Sequence, residues 1–99
     1  MKTLTEEEFY NLPKKQQTGC VIYSDRSKDW YKEGKPHRDD GPAREYANGN
    51  KFWFKEGKLH RDNGPAVEYV DGTKVYYLNN IKCSYNQLFA ISNNLEKFI

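Results

Sequence analysis

A chain of 99 residues with a mean hydropathy of −1.05 and 30% charged residues is sized for one small domain and is too polar for a deep aliphatic core. Sixteen Lys and Arg against 14 Asp and Glu give a net charge of +2, a mixed surface with no electrostatic case for nucleic acid or a membrane face. Eight Tyr, five Phe and two Trp carry the apolar load, so a thin core of amphipathic rings is expected, and this aromatic content argues against disorder.

In chain order, residues 1–17 read as a short helix and a connector. Met1 to Glu8 is polar and has no apolar run of signal-peptide or membrane-spanning length, which predicts a cytoplasmic protein. Thr5-Glu6-Glu7-Glu8 is a capping box, with Thr5 as N-cap and Glu8 at the third helical position; it predicts a helix over about 5–12, stopped by Pro13. Lys14 to Gln17 is a polar connector.

Residues 18–82 read as β-structure with an internal period of 23. Trp30 to Ala43 returns as Trp53 to Ala66, and the offset holds through Tyr46/Tyr69, Gly49/Gly72 and Lys51/Lys74. Such a period predicts stacked units, none of which buries its apolar face alone. Cys20–Tyr23 and Lys28–Lys32 form a first hairpin that has Arg26 where a turn glycine belongs. Ala43–Tyr46 and Lys51–Lys55 form a second through Asn48-Gly49. Ala66–Tyr69 and Lys74–Leu78 form a third through Asp71-Gly72. Asn-Gly and Asp-Gly suit the positive φ angles of two-residue hairpin turns. Glu33-Gly34, Glu56-Gly57 and Asn79-Asn80 turn the chain back, giving an antiparallel meander of about six strands.

Residues 83–99 read as an amphipathic capping helix over about 85–97. Ser84-Tyr85-Asn86-Gln87 is a second capping box, and Leu88, Ile91, Leu95 and Phe98 recur at helical spacing. The short sheet leaves strand edges and aromatic surface open, which predicts a homo-oligomer. Cys20 and Cys83 have no zinc or CxxC spacing and read as reduced small hydrophobes; no cofactor is expected.

The duplicated His-Arg-Asp-(Asp/Asn)-Gly-Pro-Ala element is the one dense polar cluster. Its plain reading is a shaped loop: Gly-Pro fixes a turn, the Asp residues hold Arg or cap amides, and His bonds across the unit junction. A ligand-binding reading places His37, Arg38 and Asp39 beside His60, Arg61 and Asp62, with Trp30 and Trp53 as stacking partners for an anionic nucleotide. A metal held by His37, His60, Asp39 and Asp62 lacks motif spacing. No Ser/His/Asp or Cys/His arrangement and no phosphate loop stands out, so no catalytic residue is assigned and a non-enzyme is expected. Exposed members of the pairs Trp30/Tyr31, Trp53/Phe54 and Tyr76/Tyr77 would form a stripe for a partner, with cross-strand packing of the same rings as the plainer alternative.

The stretch from Glu45 to His60, Glu-Tyr-Ala-Asn-Gly-Asn-Lys-Phe-Trp-Phe-Lys-Glu-Gly-Lys-Leu-His, resembles MORN-type repeats over about residues 20–82. The variant with Arg-Asp-(Asp/Asn)-Gly-Pro-Ala after the histidine resembles repeats of small proteins from tailed phages and giant viruses. The resemblance implies a mainly β meander of about three hairpin repeats and no settled activity. With the small size, it implies a non-enzymatic binding protein serving host takeover or counter-defence, by sequestering a nucleotide signal or blocking a host defence protein. A structural or assembly adaptor working through its sheet face is the alternative, and an enzyme acting on a nucleotide is a third reading.

Overall fold

The computed structural model describes residues 3–85. The helix expected over about 85–97 lies, beyond Tyr85, outside the described residues. The chain is mainly β. A nine-stranded sheet runs β1 (Thr3–Thr5), β2 (Gly19–Ile22), β3 (Lys28–Lys32), β5 (Arg44–Glu45), β6 (Lys51–Phe52), β9 (Val67–Glu68), β10 (Lys74–Leu78), β11 (Ile81–Cys83). β4 (Lys35–Pro36) branches from β3, and β7 (Phe54–Lys55) pairs with β8 (Lys58–Leu59) separately.

The sheet is antiparallel except at its start, where β1 lies parallel to β2. That pair was not expected. It arises because α1 (Glu6–Tyr10) and a 3-10 turn (Lys14–Gln16) fill the connection, giving a crossover long enough for parallel strands. The capping box forms: the Thr5 hydroxyl accepts from the Glu8 N–H at 3.2 Å, and the Glu8 carboxylate accepts from the Thr5 N–H at 2.9 Å. The helix drops Phe9 onto Leu4 and Val21, and all three are buried. Leu12, Tyr23 and Tyr31 pack around them. Burying Phe9 contributes roughly 2–3 kcal/mol.

The turns differ from expectation. Both central residues are left-handed at Glu33-Gly34 (φ 49° and 81°), Glu56-Gly57 (49° and 83°) and Asn79-Asn80 (50° and 68°), so the two-residue hairpin turns are here. At Asn48-Gly49 and Asp71-Gly72 only the glycine is left-handed, at 102° and 94°. The Gly49 N–H donates to the Tyr46 carbonyl and the Tyr46 N–H to the Asn50 carbonyl, which makes a three-residue loop ending in a bulge. The loop is set by a side chain: Asp25, Asn48 and Asp71 each accept the backbone N–H two residues on. Arg26 takes the same left-handed position at φ 76° without being glycine.

Strand pleating separates two faces. Trp30 and Lys28 share a face with the His-Arg-Asp loops. Asp29 and Tyr31 point to the other, where Phe9 packs on Tyr31 with ring centroids 4.8 Å apart. Across the loop face, directly opposed residues form the row Lys28, Glu45, Lys51, Glu68, Lys74. Opposite charges alternate along it, each pair contributing up to about 1 kcal/mol. On the helix face the corresponding row is Val21, Asp29, Arg44, Phe52, Val67, Val75.

Candidate functional site

The two His-Arg-Asp elements adopt the same geometry. The Arg38 guanidinium stacks on the Trp30 ring at 3.9 Å, and Arg61 on Trp53 at 4.0 Å. Arg38 Nη1 donates to the Pro42 carbonyl (3.1 Å) and to Glu45 (3.2 Å); Arg61 Nη1 donates to the Pro65 carbonyl (3.1 Å) and to Glu68 (3.0 Å). Arg38 Nε also donates to Asp40 at 3.1 Å, where the second copy has Asn63.

The glycine of each element has a steric reason. A Cβ built on Gly41 would stand 3.0 Å from Arg38 Cζ, and one on Gly64 would stand 2.8 Å from Arg61 Cζ. The indole already covers one face of each guanidinium, so the glycine lies against the other. Each cation is thus held between a ring and a bare backbone.

The histidines join one unit to the next. His37 Nδ1 accepts the Glu56 N–H at 2.9 Å, and His60 Nδ1 accepts the Asn79 N–H at 3.1 Å. In the first unit the Thr18 hydroxyl does the same for the Glu33 N–H at 2.9 Å. A ring nitrogen that accepts carries no proton, so each imidazole is the neutral Nε2–H tautomer. Nε2–H then donates to Asp39 (3.0 Å) or Asp62 (2.7 Å), as a hydrogen bond to a carboxylate and not as an ion pair between full charges. Both ring nitrogens of each histidine are occupied. At the opposite end of the units, Ser27 Oγ and Asn50 Oδ1 accept the N–H groups of Ala47 and Val70.

Two clefts of near-equal size, about 580 and 530 Å³, open on this face. The first is walled by Trp30 and His37, the second by Trp53 and His60, and the ridge Arg38-Asp39-Asp40 belongs to both. All eight residues singled out from the sequence therefore come together. Both arginines of the clefts and Lys55 face a carboxylate: Arg38 with Asp40 and Glu45, Arg61 with Glu68, and Lys55 with Asp62 at 3.7 Å; Lys28, exposed in the wall of the first cleft, stands opposite Glu45 in the sheet. The Asp39 and Asp40 side chains are 80% and 86% exposed, so the shared ridge presents carboxylates to solvent. Among the described residues, no group of three or more His, Cys, Asp or Glu is placed to hold a metal ion. No described helix is long and apolar enough to cross a membrane. Both cysteines are free, and burial pushes their thiols up, toward the protonated form.

A second polar cluster, on the helix face, was not singled out from the sequence. Asp29 is buried, and its Oδ1 accepts Arg44 Nε at 3.0 Å. Its Oδ2 accepts the Tyr23 hydroxyl at 2.9 Å and, at 3.5 Å, the Tyr31 hydroxyl. Tyr10, from α1, lies 2.7 Å from Tyr23 and 3.2 Å from Tyr31, hydroxyl to hydroxyl. Burial, the bond to Tyr10 and the Asp29 charge push Tyr31 up to about 12, and Tyr23 is raised further by burial and its bonds to Tyr10 and Asp29. The signal was a break in the period: one period on from Asp29 stands Phe52, and from Arg44, Val67.

No protein-family model, no curated protein and no solved structure matches this chain.

Proposed function

We propose that this chain is a non-enzymatic binding protein built of three MORN-like hairpin units, and that its partner is another protein, read by the twin clefts of the loop face. The observation that carries this reading is the neutralisation of Arg38 and Arg61 by Glu45, Asp40 and Glu68 beside an exposed acidic ridge. A nucleotide phosphate would have to displace those carboxylates and approach Asp39 and Asp40, which is unfavourable. A polar protein surface can instead use mixed charge and the rims of stacked indoles. The resemblance to phage and giant-virus repeats supports a host protein as partner, as in counter-defence; an assembly partner would use the same face.

The test is affinity capture from host cells with wild type and with Asp39→Lys/Asp62→Lys. The reading expects a partner retained by wild type and lost by the charge reversal, with the variant still folded by circular dichroism although its urea midpoint falls, because each lysine removes the acceptor of a histidine Nε2–H. Saturable binding of a cyclic dinucleotide or an ADP-ribose derivative, seen as a melting shift that Arg38→Ala removes, would establish the anionic-ligand reading in its place.

A further inference from the structure

The chain has two Asn-Gly pairs, Asn48-Gly49 and Asn63-Gly64, and the fold treats them differently. We propose that Asn63 is a site of spontaneous deamidation, and that its aspartate product completes in the second unit an arginine–carboxylate bond that the first unit already has.

The reaction is an attack within the main chain. The Gly64 nitrogen loses its proton to solvent and bonds to the side-chain carbonyl carbon of Asn63. The carboxamide C–N bond breaks, and its nitrogen leaves as ammonia. The resulting five-membered succinimide is opened by water, at the side-chain carbonyl to give aspartate or at the main-chain carbonyl to give isoaspartate. One water enters and one ammonia leaves, with no change of oxidation state. Glycine favours the step because no Cβ hinders the approach of its nitrogen.

At Asn48 both reacting groups are tied. The Gly49 N–H donates to the Tyr46 carbonyl at 2.9 Å, and Asn48 Oδ1 accepts the Asn50 N–H at 3.0 Å. Attack there must first break both bonds. Asn63 is exposed, and among the described residues neither its carboxamide nor the Gly64 N–H makes a hydrogen bond. Gly64 also lies against the Arg61 guanidinium, since a Cβ on it would stand 2.8 Å from Cζ. A cation beside the amide favours its deprotonated, attacking form.

The product has a template in the same chain. One period before Asn63 stands Asp40, whose carboxylate accepts Arg38 Nε at 3.1 Å. Arg61 bonds through Nη1 to the Pro65 carbonyl and Glu68, and among the described residues its Nε has no partner. Aspartate at 63 supplies that partner. It also adds a carboxylate to the wall of the second cleft and takes one from the net charge of +2. Isoaspartate instead inserts a methylene into the main chain between Arg61 and Gly64 and draws the glycine off the guanidinium.

The experiment is incubation of the folded full chain in mildly alkaline buffer, followed by trypsin digestion and tandem mass spectrometry. Asn63 falls in the peptide 62–74 and Asn48 in the peptide 45–51. Amide-to-acid conversion at Asn63 should run roughly tenfold faster than at Asn48, which has two hydrogen bonds to break. In concentrated urea, which frees both pairs, the two rates should converge. The product is tested with Asn63→Asp, in which the Arg61 Nε–H resonance should move toward that of Arg38 Nε–H. No conversion at Asn63, conversion at Asn48 as fast in the folded chain, or a difference that persists in urea would overturn the deamidation site. An unmoved Arg61 Nε–H resonance would overturn the bond assigned to its product.

Discussion

Replacing Gly64 with alanine tests whether the duplicated arginines are parts of the fold. Gly64 is not left-handed, so alanine costs nothing in backbone strain. Taken alone, Gly→Ala should stabilise by about 0.4–1 kcal/mol, by restricting the unfolded chain. The new Cβ, however, would stand 2.8 Å from Arg61 Cζ and 3.0 Å from Nε and Nη1. The guanidinium cannot retreat, because Trp53 lies on its other side at 4.0 Å. Its expulsion loses a ring stack of about 1 kcal/mol. It also loses the bond to the Pro65 carbonyl, about 1 kcal/mol. The Glu68 pair, with both side chains about a third exposed, adds about 0.5 kcal/mol after screening. The net is a destabilisation of roughly 1.5–2 kcal/mol once the alanine gain is subtracted. Urea unfolding followed by tryptophan fluorescence reads this directly. In an Arg61→Ala background the same Gly64→Ala change should become stabilising, a reversal of sign within one double-mutant cycle. If Gly64→Ala stabilises the otherwise unaltered protein, the glycine is not there for the guanidinium and the reasoning fails.

Arg26→Gly should stabilise by about 1 kcal/mol, since a left-handed arginine is replaced by the residue its two counterparts use; a lowered urea midpoint would count against the strain. Gly72→Val should cost about 1–3 kcal/mol, and Gly49→Val more, because its Cβ also meets Val70 Cγ2 at 3.2 Å; equal midpoints for the two would reject the added contact. Nitrogen-15 NMR should show both histidines as neutral Nε2–H tautomers. His37→Ala should cost about 1–3 kcal/mol by leaving the Glu56 N–H without its acceptor; Nδ1–H signals would refute the junction geometry. At high pH the unfolded chain loses phenolic protons near 10, while folded Tyr31 holds its own to about 12. That contribution is fully present below pH 10 and is lost as pH rises from about 10 to 12. Tyr31→Phe should flatten this alkaline decline in the urea midpoint, and an unchanged slope would exclude Tyr31 as its source.

Much of this was readable in the chain because the period acts on the backbone. The Trp30 N–H donates to the Ala43 carbonyl and Trp53 to Ala66, both at 2.7 Å, and Arg38 to Phe54 as Arg61 to Tyr77. A duplicated sequence here means a duplicated bond. The turn geometry was less readable, because Asn48-Gly49 supports either a two-residue turn or a bulged loop, and the Asx bond to Asn50 decides between them. The parallel β1 carries no sequence signal beyond Leu4 flanked by threonines. The Asp29 cluster escaped because its members come from positions 10, 23, 29, 31 and 44, which only the crossover and sheet register bring together. Gly-Pro spacing predicts a rigid backbone turn, but the packing of guanidinium between indole and glycine depends on a third dimension that spacing does not encode.

The central claim is that Arg38 and Arg61 hold the fold, while recognition falls to the clefts they shape. Its most direct test is the urea midpoint of Arg38→Ala. The loss of the Trp30 stack and of bonds to Pro42, Asp40 and Glu45 should lower stability by about 2 kcal/mol. An unchanged midpoint would contradict the claim and return Arg38 to the role of a surface group available to a ligand.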